Sequence, residues 1–134
     1  MKILLDTDTC IHLIRRQPAE MLQRLKRYSP GDIGISSITM AELSFGAAKG
    51  RQHERNKAAL ADFTAPLEIV PFDAAAAAAY GGLRATLESR GAGIGALDTL
   101  IGAHALSLKV TLVTHNTREF ARIAGLRLAD WVET

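Results

Sequence analysis

The 134-residue chain is 48% hydrophobic, balances 16 Lys and Arg against 14 Asp and Glu for a formal charge of +2, and contains one cysteine. Its length suits one domain over 1–134 with its own core and is short for two, while its longest apolar run, Ala74 to Tyr80, falls far below the roughly 20 residues of a membrane span. Cys10 alone can form neither an internal disulfide nor a cysteine-rich zinc site and is expected as a small buried hydrophobe; with no room for a secretory apolar segment before Asp6, the expectation is a cytoplasmic protein without a membrane partner.

Residues 2–6 form an apolar run that predicts a buried parallel strand, closed by Asp6. Asp8 or Thr9 is placed to cap a helix from about Cys10 to Arg16 or Gln17, and Pro18 suits the first turn of the next helix, to about Tyr28. A turn at Ser29-Pro-Gly-Asp32 leads into a strand over 33–36. Ser36 or Ser37 then starts a helix ending at Gly50, and a more basic helix follows over 51–63, so the two form a basic hairpin. A strand over 67–70 precedes a long helix capped by Asp73 and running to about Arg90. Its interior Gly81-Gly82 pair costs on the order of 1 kcal/mol per glycine relative to alanine, which predicts a kink or a tight helix contact. Gly91, Gly93 and Gly95 approach a helix over 97–108, where Leu97, Leu100, Ile101, Ala105 and Leu108 share one apolar stripe and Asp98 lies in the first turn. Strands over 110–114 and 126–129 complete an alternation that predicts an α/β domain around a parallel sheet.

Asp6, Glu42 and Asp98 are far apart in sequence, yet each falls near the end of a strand or the beginning of a helix. In a parallel sheet such positions converge on the carboxyl edge, where ligands bind. Three carboxylates crowded there repel one another and raise at least one pKa, a conflict that a hard divalent cation with oxygen ligands relieves. Magnesium commonly takes one or two carboxylates and leaves its other positions to water and phosphate, and it activates water for phosphodiester hydrolysis without a protein nucleophile. The alternative is structural: Asp6 a helix cap, Glu42 a solvated residue and Asp98 a favourable anion at a helix start. Residues 1–57 carry ten Lys and Arg against six acids, whereas 58–134 carry six against eight; that first-half excess suits a polyanion such as RNA or simply a solvated helix face. His104 and His115 lack metal-ligand spacing. His104 reads as packed in its helix, His115 as a loop residue or an RNA contact, and Trp131 as packing rather than a stacking platform.

Four segments, Leu4-Leu-Asp-Thr-Asp-Thr-Cys10, Ser36-Ser-Ile-Thr-Met-Ala-Glu-Leu-Ser-Phe-Gly46, Asp98-Thr-Leu-Ile-Gly-Ala-His-Ala105 and Val113-Thr-His-Asn-Thr-Arg-Glu-Phe120, resemble in order and spacing the successive motifs of VapC toxins, the PIN-domain ribonucleases. The resemblance extends from about Lys2 to Trp131. It implies a PIN-like fold, with helices on both faces of a parallel sheet of about five strands and an acidic Mg2+ or Mn2+ pocket at the carboxyl edge. Asp6 and Asp98 would ligate metal, with Glu42 doing so directly or through water. Asn116 stands where the family often has aspartate and would hydrogen-bond a metal water, and Glu119 would supply the missing carboxylate. Thr7 and Thr114 would orient the acids or waters. Asp8 departs from the commoner asparagine; a helix cap is preferred for it over a ligand.

The same resemblance implies a type II toxin that cleaves structured RNA, with the anticodon loop of initiator tRNA as the expected substrate. Arg15, Arg16, Lys49, Arg51, Arg55 and Lys57 are the expected phosphate contacts. It also implies a VapB antitoxin, a homodimer, a hetero-oligomer with that antitoxin, and operator DNA bound only through the antitoxin. Two rivals are a phosphoacceptor receiver and a catalytically silent PIN scaffold. The first needs a lysine just after a late strand, whereas Lys109 precedes it; retention of Asp6, Glu42 and Asp98 counts against the second.

Overall fold

The computed structural model describes residues 1–132. Among these residues, five short strands, β1 (Ile3–Leu5), β2 (Ile33–Ser36), β3 (Glu68–Val70), β4 (Thr111–Val113) and β5 (Leu128–Ala129), pair entirely in parallel in the order β3-β2-β1-β4-β5. Seven helices accompany them: α1 (Thr7–Arg16), α2 (Ala19–Lys26), α3 (Ser37–Lys49), α4 (His53–Thr64), α5 (Ala74–Ser89), α6 (Ala96–Leu108) and α7 (Thr117–Phe120).

The three apolar residues of β1 explain why both sheet faces are covered. Successive side chains on a strand point to opposite faces. Ile3 and Leu5 join a core with Cys10 and Leu13 of α1, Met21 of α2, Leu43 of α3 and Leu60 of α4, whereas Leu4 joins a second core with Ile101 and Ala105 of α6 and Phe120 of α7. A strand sandwiched in this way reads as a continuous hydrophobic run. From β1 the chain builds outward through β2 and β3, then returns to place β4 on the other flank of β1. The switch point between β1 and β4 opens a crevice at their carboxyl ends. Asp6 and Thr114 follow those two strands directly.

Several local expectations are revised. Asp6, not Asp8, caps the first helix: its side chain accepts from the Thr9 backbone N–H, and the helix begins at Thr7, three residues earlier than expected. Asp8 lies exposed in the first turn. Pro18 is the N-cap of α2, one position outside the helix. Leu97 leaves the apolar stripe of α6 and is 47% exposed, because it lies in the first turn beyond the core. Gly81 and Gly82 make no tight contact; both are exposed inside α5, and a Cβ built on either would meet no atom within 4 Å. Gly102 does mark a close approach, since a Cβ there would stand 2.5 Å from Ile123 Cδ1. Asp73 caps α5 through the Ala76 N–H as expected. Trp131 is buried and stacks on Tyr28 with centroids 6.1 Å apart, and His104 and Cys10 are fully buried.

Candidate active site

Asp6 is fixed from several sides. Its backbone N–H donates to the Val113 carbonyl at 3.0 Å, which ties the end of β1 to β4. One carboxylate oxygen accepts from Thr9 N at 2.9 Å and the other from the Thr114 hydroxyl at 2.5 Å. The residue is only 2% exposed. Burial raises its pKa, and the proximity of Asp8 adds to that; the Thr114 and Thr9 hydrogen bonds oppose it. The expected orienting role of Thr114 is therefore visible as a direct contact.

Glu42 enters from the second turn of α3. Thr7 Oγ1 lies 2.7 Å from Glu42 Oε1 and 3.1 Å from Thr39 Oγ1. A hydroxyl has one proton to donate and a carboxylate only accepts, so Thr7 donates to Glu42 and accepts from Thr39. That chain locks α3 against the start of α1. Behind it, the Ser36 hydroxyl accepts from the Ile38 N–H, capping α3, and sits 2.8 Å from Nδ1 of His104. Burial lowers the pKa of His104. The neutral ring shares one hydrogen bond with Ser36 through Nδ1, a support with no local signal in the sequence.

Asp98 enters from the first turn of α6, where the helix dipole favours an anion. Asn116 stands at the N-cap position of α7 but makes no capping bond with its side chain. Its Nδ2 instead donates to Asp98 and to Glu119, each at 3.3 Å, while its backbone N–H donates to Thr114 Oγ1 at 2.9 Å. The neutral amide thus bridges two carboxylates. Asp98 is pushed up to about 6, first by burial, then by the charges of Asp6, Asp8 and Glu119. The Asn116 hydrogen bond only partly offsets them. Asp6, Asp98, Asn116 and Glu119 consequently meet in one electrostatic neighbourhood, and Glu42 adjoins it through Thr7.

The donor set suits a hard cation, being built of oxygens with excess negative charge. Among the described residues, no three Asp, Glu, His or Cys side chains gather closely enough to enclose a metal by themselves. A magnesium-type site does not require such a cage, because water and substrate phosphate fill the remaining positions.

Of the six basic residues expected to meet phosphate, Arg15 is brought to the site's flank: it lines a groove with Glu42, Leu43, Asn56 and Leu60 between α1, α3 and α4. Lys49 lies over the exposed Phe45 ring, 5.4 Å from its centroid, and Arg55 donates to Gln52. Arg16, Arg51 and Lys57 are exposed, and among the described residues none of the six forms a salt bridge. Arg15 alone among the six lines that groove.

Residues 3–126 match the PIN domain family. The chain is 41% identical to the tRNA(fMet)-specific endonuclease VapC of Shigella flexneri, over 98% of each chain. It is 42% identical to the ribonuclease VapC2 of Haemophilus influenzae, over 98% of this chain and 99% of that one. Among solved structures, VapBC2 from Rickettsia felis bound to a DNA fragment from its promoter includes a chain that superposes with a TM-score of 0.94 and 39% identity, covering 98% of this chain and all of that one.

Proposed function

The chain belongs to the PIN-domain family, among its VapC ribonucleases, and from that membership we propose that it is the toxin of a toxin–antitoxin pair, a metal-dependent endoribonuclease that cuts the anticodon loop of initiator tRNA and so stops translation. The observation that carries the chemistry is the convergence of Asp6, Asp8 and Glu119 on Asp98, whose pKa is pushed up to about 6. Charge concentrated in this way, with no salt bridge to lysine or arginine among the described residues, is costly to the free protein and is relieved by a cation.

Asp6 and Asp98 would hold Mg2+ or Mn2+, with Glu42 joining directly or through water. Bound there, the metal would supply a water nucleophilic near neutral pH and charge stabilisation on the scissile phosphate. The protein's own part is orientation. Thr114 and Thr9 hold both oxygens of Asp6 in place, Thr7 directs Glu42, and Asn116 keeps Asp98 and Glu119 together despite their like charge. Arg15, at the groove beside Glu42, is positioned to meet a phosphate of the entering strand. Unstacked loop bases are accessible to such an open crevice, unlike the edges in an A-form groove.

The partner is a VapB-type antitoxin, in keeping with the VapBC assembly of the Rickettsia felis relative and its promoter DNA. An antitoxin arginine or lysine placed among the carboxylates would inhibit by neutralising them, and operator DNA would be bound through the antitoxin. A toxin homodimer would set two acidic crevices in one assembly. Among the described residues, no helix is long and apolar enough to cross a membrane.

The test is incubation of antitoxin-free protein with total bacterial tRNA, in Mg2+, Mn2+ or EDTA, with cleaved ends mapped by sequencing. Metal-dependent scission in one loop of initiator tRNA is expected. If no tRNA is cut with either metal, the substrate assignment fails.

A further inference from the structure

His115 lies between two residues of the acidic site: Thr114, which donates to Asp6, and Asn116, which bridges Asp98 and Glu119. Its ring turns toward the end of β5. There Nδ1 stands 3.2 and 3.0 Å from the two carboxylate oxygens of Asp130. Asp130 is itself held by the Val132 N–H at 2.9 Å. The pair is therefore a fixed fitting beside the site, joining the segments that follow β4 and β5.

The chemistry of the pair dictates what it offers. An ionised carboxylate has no proton to donate, so Nδ1 carries the ring proton and Asp130 fixes that tautomer. In the neutral form of the ring the lone pair is then at Nε2, and the side chain is 49% exposed with no hydrogen bond to Nε2 among the described residues. A bare acceptor has nothing to offer a phosphate oxygen, which also only accepts. It is matched to a hydroxyl, and the hydroxyl that distinguishes an RNA strand from a DNA strand is the ribose 2′-OH.

We propose that His115, oriented by Asp130, is a substrate-contacting residue whose Nε2 accepts a hydrogen bond from the 2′-hydroxyl of a nucleotide flanking the scissile phosphate. The assignment rests on the ribonuclease function proposed above and deepens it by identifying what part of the sugar the rim recognises. Asp130 acts through His115 and is a positioning residue.

The experiment uses the full chain at pH 8 with a hairpin RNA carrying the cleaved loop, and a set of hairpins each bearing one 2′-deoxy nucleotide within three positions of the cut. Wild-type kcat/KM is expected to fall about 3–10-fold for one deoxy position, the scale of a single lost hydrogen bond. His115→Phe should show that loss on the all-ribose hairpin and no further loss on the deoxy one. His115→Gln, which keeps an acceptor, should recover part of it. A full deoxy penalty persisting in His115→Phe would overturn the assignment. So would an equal loss on every hairpin with a lowered Tm, which marks a structural role, or a loss that shrinks with added salt and ignores the sugar, which marks a phosphate contact. If wild type cuts no hairpin in either metal, the ribonuclease reading falls and this assignment with it; cleavage with no position sensitive to the 2′-hydroxyl overturns this assignment alone.

Discussion

Removing the charge of Asp98 should stabilise the metal-free protein at neutral pH. The folded-state pKa rises from 3.8 to about 6, and at 1.36 kcal/mol per pH unit this corresponds to about 3 kcal/mol before screening. Because the carboxylate is only partly buried, solvent screening reduces the expected effect to about 1–2 kcal/mol. The sign follows from which state binds the proton more tightly. The folded protein does, so the carboxylate is destabilising above pH 6, and stability is regained as pH falls from about 6 toward 3.8. Asp6, also raised, acts in the same direction. In EDTA, Tm measured by circular dichroism should climb as pH is lowered from 7.5 to 5.5, by about 1–3 °C for a domain of this size, because most of the effect is regained only below pH 5.5. Asp98→Asn should flatten most of that slope and, at pH 7.5, exceed the Tm of the wild type at pH 5.5. Adding Mg2+ at pH 7.5 should raise the wild-type Tm and leave the variant nearly unmoved. A wild-type Tm that is flat or falls across this range in EDTA would refute the electrostatic account of the site.

Asp98→Asn should also abolish RNA cleavage with the fold intact, as read by gel assay beside circular dichroism; residual wild-type cutting after clean purification would remove Asp98 from the mechanism. Thr114→Val leaves Asp6 without its hydroxyl donor and should cost about 1–3 kcal/mol in denaturant unfolding, while raising the Asp6 pKa further and lowering activity near neutral pH. Gly81→Ala and Gly82→Ala place methyl groups in open space on α5 and should each stabilise by about 0.5–1 kcal/mol. Gly102→Ala forces a Cβ against Ile123 and Phe120 and should destabilise by about 1–3 kcal/mol.

The strands were legible because a strand buried on both faces reads as an unbroken apolar run, as Ile3–Leu5 and Ile33–Ser36 do. The acids stood out because their local motifs sit where strand passes to helix. Asp6 was harder to assign, since it ends a strand, caps a helix and faces the crevice together; reading those as alternatives misplaced the start of α1. The His115–Asp130 contact had no local signal. It depends on β5 lying beside β4 in a register that pairs Val113 with Ala129, so the segments just beyond the two strands run close together. Gly81-Gly82 misled for the opposite reason, because a tight helix contact and an empty surface both accommodate glycine.

The crossover that places β4 beside β1 also governs when the site can exist during synthesis. The Thr114 hydroxyl that holds Asp6 lies 108 residues downstream of it, and Asn116 and Glu119 come later still. A nascent chain that has not yet extruded β4 from the ribosome carries Asp6 without its clamp and Asp98 without its bridge. The sheet gap beside β1 is still open at that stage. The acidic site is thus assembled by closure of the sheet's last central strand pair, late in the chain's own making.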